Sequence, residues 1–422
     1  MRFSKLVHDL HDATVFLDVD GTLVNDKLDT ADPETLEKLA ALARDNDVYL
    51  ASNGPESRTR AMAEAAGVTP LPKLRKPLPH EAIRSIERRD RVVVIGDKFL
   101  TDGLFALAIG AEFVKVARLQ GASDRLGARL AYLLDDVVWA IAPFIALARP
   151  HQWLKNTLVF APLFFAGALF VPGAILASVA AFFAFSFAAS AVYALNDVFD
   201  VEQDRKHPKK RRRPIAAGLI SLPGAYVSIG ILLGTVFVIT LLYPAIAPVI
   251  ILYVLLNGVY SARLKHVAVV DILCVASFYI MRIVTGGLAT GIPLSSWLIL
   301  CAFFAALFLI VGKRIAEYHH DAKRKVLEEY SREALNFMLA GSAALAIMTY
   351  GIYSAIGHDA PLLVYSTVFV VLALFRIMNR LYTHPHQAET PEKLLFKDPW
   401  VFVSFLLWGL YLFWVFYLVP VG

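Results

Sequence analysis

Charge is scarce in this chain and cysteine is nearly absent. Only 18% of the 422 residues are Asp, Glu, Lys or Arg, against roughly 25% in a soluble globular protein. The two cysteines, Cys274 and Cys301, both fall inside apolar stretches without CxxC spacing. That excludes a disulfide framework and a thiolate metal site, and leaves both thiols as small apolar filler. A secretory leader is missing from MRFSKLVHDLHDATVFLDVDG, because its first apolar run is short and passes straight into carboxylates. The soluble part is therefore expected in the cytoplasm. A basic surface interleaved with aromatics, of the kind that grips nucleic acid, is missing too: Lys and Arg crowd beside apolar runs.

What takes the place of charge is hydrophobicity, 57% of the residues, spread unevenly. The first third of the chain is mixed and polar. The rest is long apolar stretches separated by short charged loops. That asymmetry calls for two domains in different solvents. The reading is residues 1–120 as a soluble α/β domain, 121–148 as an amphipathic connector lying at the membrane surface, and 149–422 as an all-α polytopic membrane bundle.

In the first domain, TVFLD ending at Asp18, VYLAS ending at Ser52, RVVVIGD ending at Asp97 and AEFVKVA read as strands. Helical patterns lie between them at Pro33 to Arg44, near 56–66 and near 79–89. Such alternation predicts a parallel, Rossmann-like sheet covered by helices, with its site at the carboxyl ends of the strands. Asp18, Asp20, Asp97 and Asp102 sit there.

Beyond Lys155, about nine stretches approach the ~20 residues that cross a bilayer: near 156–172, 174–196, 219–243, 245–260, 267–290, 294–312, 335–356, 361–380 and 400–420. Alternate loops carry the cations. Arg205, Lys206 and Lys209 to Arg213 lie in one, Arg263 and Lys265 in the next, then Lys313, Arg314, Lys323 to Lys325 and Arg332, and last Lys393 and Lys397. Loops near 172, 243, 291 and 358 carry almost none. By the positive-inside rule the N-terminus lies in the cytoplasm and the C-terminus across the cell (inner) membrane.

The stretch Asp18-Val19-Asp20-Gly21-Thr22 resembles the first motif of the HAD phosphohydrolases. Ser52, Lys76 (with Lys73 as a rival) and Gly96-Asp97 to Asp102 follow in that family's order. The resemblance implies that Asp18 attacks phosphorus and Asp20 works as general acid and base. Ser52 and Lys76 would hold the phosphate, with Mg²⁺ among Asp18, Asp20, Asp97 and Asp102. A carboxylate nucleophile repels phosphate, so the lysine and the cation are needed to offset that charge. The gaps from Thr22 to Ser52 and on to Lys76 are too short for a folded cap, so the site is expected to be open.

The most specific pattern is NDVFDVEQD, Asn196 to Asp204, at the end of the second span. On one helix, Asp197, Asp200 and Asp204 would share a face. Three carboxylates there repel one another unless a cation joins them, and with Asn196 they suit Mg²⁺ bridging to phosphates. The pattern resembles the hallmark of the UbiA superfamily, which implies a UbiA-like bundle and one or more Mg²⁺ ions. Tyr260 and Lys265 stand where that family has its second motif. Asp271 and Arg282, 11 residues apart in the fifth span, share a helix face, as a functional or a mutually paired couple.

Three segments, Arg149 to Asn156, His207 to Gly218 and Lys313 to Glu317, are similar to the decaprenyl-phosphate phosphoribosyltransferase branch of that superfamily. The resemblance implies transfer of 5-phosphoribose from phosphoribosyl pyrophosphate to a polyprenyl phosphate. Lys155, Lys210, Arg211 and Lys265 would hold phosphates, with Arg282 joining them. The HAD-like domain would then remove the 5-phosphate of the lipid product. The alternative is a conventional transfer of a prenyl chain from a prenyl diphosphate to an aromatic acceptor.

Overall fold

The computed structural model describes residues 3, 10–25, 30–119, 126–208, 210–319, 325–356, 360–384 and 398–419. The cations expected at Lys209, Lys323, Arg324, Lys393 and Lys397, and the start of the connector at 121–125, lie outside the described residues. The chain divides into two units, Met1–Pro143 and Phe144–Gly422.

The first unit runs β1 (Ala13–Leu17), α1 (Pro33–Asp45), β2 (Asp47–Leu50), α2 (Glu56–Ala66), β3 (Thr69–Pro70), α3 (Glu81–Arg84), β4 (Arg91–Gly96), α4 (Leu104–Ile109) and β5 (Glu112–Lys115). The strands form one parallel sheet in the order β3-β2-β1-β4-β5. Every residue of β1 is buried, as a central parallel strand covered on both faces should be. Val15 and Leu17 face a core with Leu39, Met62 and Val93, while Phe16 faces the other layer with Ile83, Val94 and Phe105. Asp32 caps α1, accepting from the Thr35 N–H at 2.9 Å, and Pro33 opens the helix.

Two expectations need correcting here. A fifth strand, β3, was not foreseen; it is two residues long and sits at the sheet edge, where its proline is tolerated. The helix expected near 79–89 shrinks to α3. The Arg88 guanidinium donates to the Ile83 carbonyl at 3.0 Å and to the Ile109 carbonyl at 3.1 Å, taking up an acceptor that a further turn would use. Among the described residues no further domain is inserted between β1 and β4.

Helix α5 (Leu126–Ala148) follows. One of its faces is docked on the sheet domain: Trp139 meets Phe99 and Phe113 at 5.3 and 5.5 Å, and Asp135 is only 2% exposed. Leu130, Leu133, Leu134, Val137 and Ile141 remain exposed on it.

The second unit continues with a 3-10 run (Pro150–Phe160), α6 (Ala161–Phe165), α7 (Pro172–Phe199), α8 (Val201–Lys206), α9 (Leu222–Leu242), α10 (Ala247–Ala262), α11 (Val270–Thr290), α12 (Ser296–His319), α13 (Arg332–Ile356), α14 (Thr367–Thr383) and α15 (Pro399–Phe413). Among the described residues, nine helices are long and apolar enough to cross a membrane. They match the sequence expectation except at the start, where Arg129–Ala148 of α5 stands in place of 156–172.

By length and composition α5 qualifies as a span. Tyr132, Asp135 and Trp139, on one face of it, contact the sheet domain. The Ala148 carbonyl, at its far end, accepts from Ser190, and the next residue, Arg149, reaches Asp197 on α7. From there the chain descends antiparallel to α7. Trp153 Nε1 donates to Ser190 Oγ at 3.0 Å, Asn156 Nδ2 to Ser186 Oγ at 2.9 Å, and Phe160 meets Phe182 at 5.6 Å. A 3-10 helix rises more per residue than an α-helix, so Pro150 to Phe165 covers about 30 Å, the thickness of the hydrocarbon core.

Small residues let the neighbours close in. Ala181, Ala184, Ser186, Ala188 and Ser190 of α7 are buried, and a Cβ on Gly286 of α11 would collide with the Val159 carbonyl. α12 runs on to His319, so Lys313 and Arg314 belong to the helix and not to the loop in which they were expected.

Candidate active sites

The first constellation lies at the carboxyl edge of the sheet. β1 delivers Asp18, β2 delivers Ser52 and β4 delivers Asp97, each in the turn just past its strand. Asp102 returns from a single π turn, Phe99–Gly103, packed so closely that a Cβ on Gly96 would strike its carboxylate. Lys76 Nζ lies 2.5 Å from both Asp18 and Asp102 and is buried with them. Its rival Lys73 is exposed.

Burial, then repulsion from Asp102, pushes the Asp18 carboxyl up to about 7 against the pull of Lys76. Burial opposes the charge on Lys76, but Asp18 and Asp102 outweigh it and raise the ammonium's pKa. Burial also raises Asp97, despite Lys98 and Arg118.

Asp18, Asp97 and Asp102 each place one carboxylate oxygen within 4.8 Å of the others. Asp97 Oδ1 is buried without a hydrogen-bond partner. Hard oxygens, one of them orphaned, fit a divalent cation such as Mg²⁺. Asp20, expected in the same group, stands apart from it. Its carboxylate accepts from Ser52 Oγ at 2.8 Å and pairs with Arg58.

The cavity beside these groups holds about 330 Å³ and is lined also by Asn53, Gly54, Lys98 and Thr101. Arg58 and Lys98 were not singled out from sequence, nor was Arg118, which donates to Asp97 at 2.7 Å. The available signal was that Lys98 and Arg118 each follow the end of a strand.

The second constellation closes the open end of α7. The helix stops at Phe199, Asp200 takes φ −91° and ψ 5°, and α8 restarts at Val201. The expectation of one continuous helical face is thereby corrected. Asp197 and Asp204 are 2% and 1% exposed, whereas Asp200 is half-exposed and Asn196 lies beside it in the last turn.

The two buried acids already hold a cation. Arg213 Nη1 donates to Asp197 at 2.9 Å and to Asp204 at 2.6 Å. Arg149 forks onto both oxygens of Asp197 at 2.6 and 2.8 Å. Arg149 has φ +52°, a left-handed conformation that ends α5 before Pro150. Lys210 lies 3.9 Å from Asp204, and Arg211 is exposed. A buried carboxylate pair that accommodates a guanidinium has the charge and oxygen donors to accommodate Mg²⁺.

Tyr260 ends α10 half-buried against the Phe278 ring, Lys265 is exposed in the turn beyond, and Lys155 is half-buried on the 3-10 run. Asp271 and Arg282 do not pair. Asp271 is bound by Arg314 at 2.8 Å and by the Tyr330 hydroxyl at 2.7 Å. A pair three turns apart on one helix shares a face without meeting, and α12 supplies the nearer cation.

Arg282 donates to Asn156 Oδ1 at 2.7 Å and lies over the rings of Phe185 and Tyr279. Asn156 in turn holds Ser186, which stands about 16 Å along α7 from Asp197 at helical rise. Arg282 is thus not brought to the acidic cluster.

Residues 156–397 match the model of the UbiA prenyltransferase family. The chain belongs to that family. It is 42% identical over 225 residues to a decaprenyl-phosphate phosphoribosyltransferase of Mycobacterium tuberculosis, covering 51% of this chain and 74% of that one. Against the protein of the same name from Corynebacterium glutamicum it is 37% identical over 292 residues, covering 65% and 87%. A structure of a UbiA homolog from Archaeoglobus fulgidus bound to GPP and Mg²⁺ aligns at 19% identity and a TM-score of 0.49, covering 65% of this chain and 99% of that one. As a UbiA family member, this is a multi-pass membrane protein whose Asn196 to Asp204 segment lies inside the matched region.

Proposed function

We propose that the membrane domain, residues 149–422, moves 5-phosphoribose from phosphoribosyl pyrophosphate to a polyprenyl phosphate. The observation that carries this reading is the buried Asp197–Asp204 pair with its ring of cations, Arg213, Arg149 and Lys210, in a UbiA chain whose relatives bear the phosphoribosyltransferase name. An oxygen of the lipid phosphate attacks the anomeric carbon, the bond from that carbon to the pyrophosphate oxygen breaks, and pyrophosphate leaves. Asp197 and Asp204, with Asp200 and Asn196, would hold Mg²⁺, and Arg149, Arg213, Lys210 and Arg211 would pair with phosphate oxygens. Lys155, Tyr260 and Lys265 are assigned to the lipid phosphate.

The soluble domain, residues 1–120, is proposed as a HAD-type phosphohydrolase acting on the 5-phosphate of the lipid product. Asp18 forms the bond to phosphorus as the ribose 5-oxygen leaves and takes a proton from Asp20. Asp20 then withdraws a proton from the water that releases phosphate. Ser52 and Arg58 fix Asp20, and Lys76 balances charge at Asp18. Arg58 and Lys98 at the cavity wall suit a substrate carrying a second anionic group, such as the lipid phosphodiester. In both sites bound Mg²⁺ supplies charge neutralisation at phosphate oxygens.

Positive residues concentrated on one side of the spans favour placing the soluble domain in the cytoplasm and the C-terminus across the cell (inner) membrane.

The test compares lipid products of wild type and Asp18→Asn given labelled phosphoribosyl pyrophosphate and a polyprenyl phosphate. The phosphorylated lipid should accumulate in the variant. Identical products from both proteins remove the phosphohydrolase half, and a prenylated aromatic product favours the conventional UbiA reaction.

A further inference from the structure

Helix α5 leaves the sequence as a connector, yet it carries a buried carboxylate that no motif explains. Asp135 accepts from the Leu100 N–H at 2.8 Å and from the Phe99 N–H at 3.1 Å. Lys115 Nζ donates to it at 2.9 Å. The Arg118 guanidinium lies 3.7 Å from it while its Nε donates to Asp97 at 2.7 Å. Phe99 and Leu100 open the short turn that ends in Asp102, and Asp97 stands just before that turn. Both ends of the acidic loop therefore run to one side chain on α5: Asp102 through backbone N–H groups, Asp97 through Arg118. Tyr132, one turn earlier, lies beneath the Arg118 guanidinium at 4.0 Å and Lys98 Nζ at 5.2 Å.

We propose that Asp135 is a positioning residue for the soluble site, fixing the Asp97–Asp102 loop so that its carboxylates converge on a divalent cation. The proposal rests on the phosphohydrolase reading of that site. Its physical basis is that a buried carboxylate accepting two adjacent backbone N–H groups and one ammonium, with a guanidinium 3.7 Å away, pins a loop more firmly than neutral hydrogen bonds do. It also places the functional edge of the domain beyond residue 120. The helix that leads to the membrane completes the site, so a domain cut at the sequence boundary lacks this tie.

Outer groups that orient metal ligands typically change metal affinity by about 10–100-fold when removed. Full-length Asp135→Ala and Asp135→Asn would be compared with the parent chain. Phosphate release from p-nitrophenyl phosphate would be followed against Mg²⁺ concentration. Mn²⁺ binding would be followed by EPR in an Asp197→Asn/Asp204→Asn background, which removes the membrane site.

The expected result for Asp135→Ala is a half-saturating Mg²⁺ concentration raised about 10–100-fold, weaker Mn²⁺ binding to match, and a rate at saturating Mg²⁺ within about threefold of the parent. Asp135→Asn keeps one acceptor oxygen, for Leu100 or Phe99, and loses the other together with the charge facing Lys115 and Arg118, so it should fall between. It also decides the matter should the alanine variant fail to fold. Unchanged Mg²⁺ dependence and Mn²⁺ binding in the asparagine variant would overturn the proposal. Absence of phosphate release from the parent chain would sink the phosphohydrolase reading, while the Mn²⁺ titration still judges Asp135.

Discussion

Arg213 meets Asp204 at 2.6 Å beneath the broken end of α7, and the same guanidinium nitrogen reaches Asp197. Two enclosed carboxylates repel one another unless a cation lies between them, and here that cation is the Arg213 guanidinium. Arg213→Ala should lower kcat/KM for phosphoribosyl pyrophosphate by about 10–100-fold, the worth of charged hydrogen bonds of about 1.5–3 kcal/mol. Arg213→Lys should recover only part of this, because an ammonium lacks the planar fork. Initial rates of lipid labelling over a range of donor concentrations measure both.

Asp271 and Arg314 form a different kind of pair. Both are buried, and Tyr330 shares the carboxylate. Removing Arg314 strands the Asp271 charge away from water, at a cost of about 3–5 kcal/mol, and removing Asp271 leaves the buried Arg314 still paired with Glu317, 2.7 Å away, at a smaller cost. Asp271→Ala should therefore unfold at clearly lower temperature in detergent, read by intrinsic fluorescence. The double change Asp271→Leu with Arg314→Met should regain most of that loss.

The separation of Arg282 from the acidic cluster makes a kinetic prediction. It donates to Asn156, which ties the 3-10 run to α11, and to the Phe278 carbonyl within its own helix. Arg282→Met should lower thermal stability and leave KM for phosphoribosyl pyrophosphate within about threefold, whereas a direct phosphate contact of 1.5–3 kcal/mol would raise it more than tenfold.

In the soluble domain the cap of α1 is open to a test by pH. The Thr35 N–H bonded to Asp32 holds that carboxyl below its ordinary value. Because the folded pKa is depressed, the cap's contribution is complete above the unfolded value near 3.8 and fades as pH falls through the lower folded value. Asp32→Ala should speed amide exchange in the first turn of α1 at pH 7, equivalent to about 1 kcal/mol. The difference from wild type should vanish in strong acid.

Much of this arrangement was legible in the residues. Short apolar runs marked β1, β2 and β4, and each delivers a site side chain where its strand ends. The apolar runs of α7 to α15 gave the bundle its spans. What escaped had long-range causes. The two-residue β3 exists only as an edge to β2, and the Arg88 side chain that truncates α3 acts across the fold. Apolar composition marks α5 for the membrane, and only its contacts with Phe99 and Phe113 reveal where half of it is docked. The 3-10 run Pro150–Phe160 has no periodicity that distinguishes it from an α-helix. Arg213 looked like a loop charge of the positive-inside kind and Arg149 was only the first residue of a matched segment, and only their geometry brings both onto Asp197.

The central claim is that phosphoribose moves onto a polyprenyl phosphate at the Asp197–Asp204 pair. Its most direct measurement is mass spectrometry of the lipid formed when the purified full chain receives phosphoribosyl pyrophosphate, a polyprenyl phosphate and Mg²⁺. The account predicts a polyprenyl-phosphoryl ribose, with or without its 5-phosphate, from wild type and none from Asp197→Asn. A lipid formed equally fast by Asp197→Asn or in excess chelator, or no ribose on the lipid while a prenylated aromatic forms from prenyl diphosphate, would contradict it.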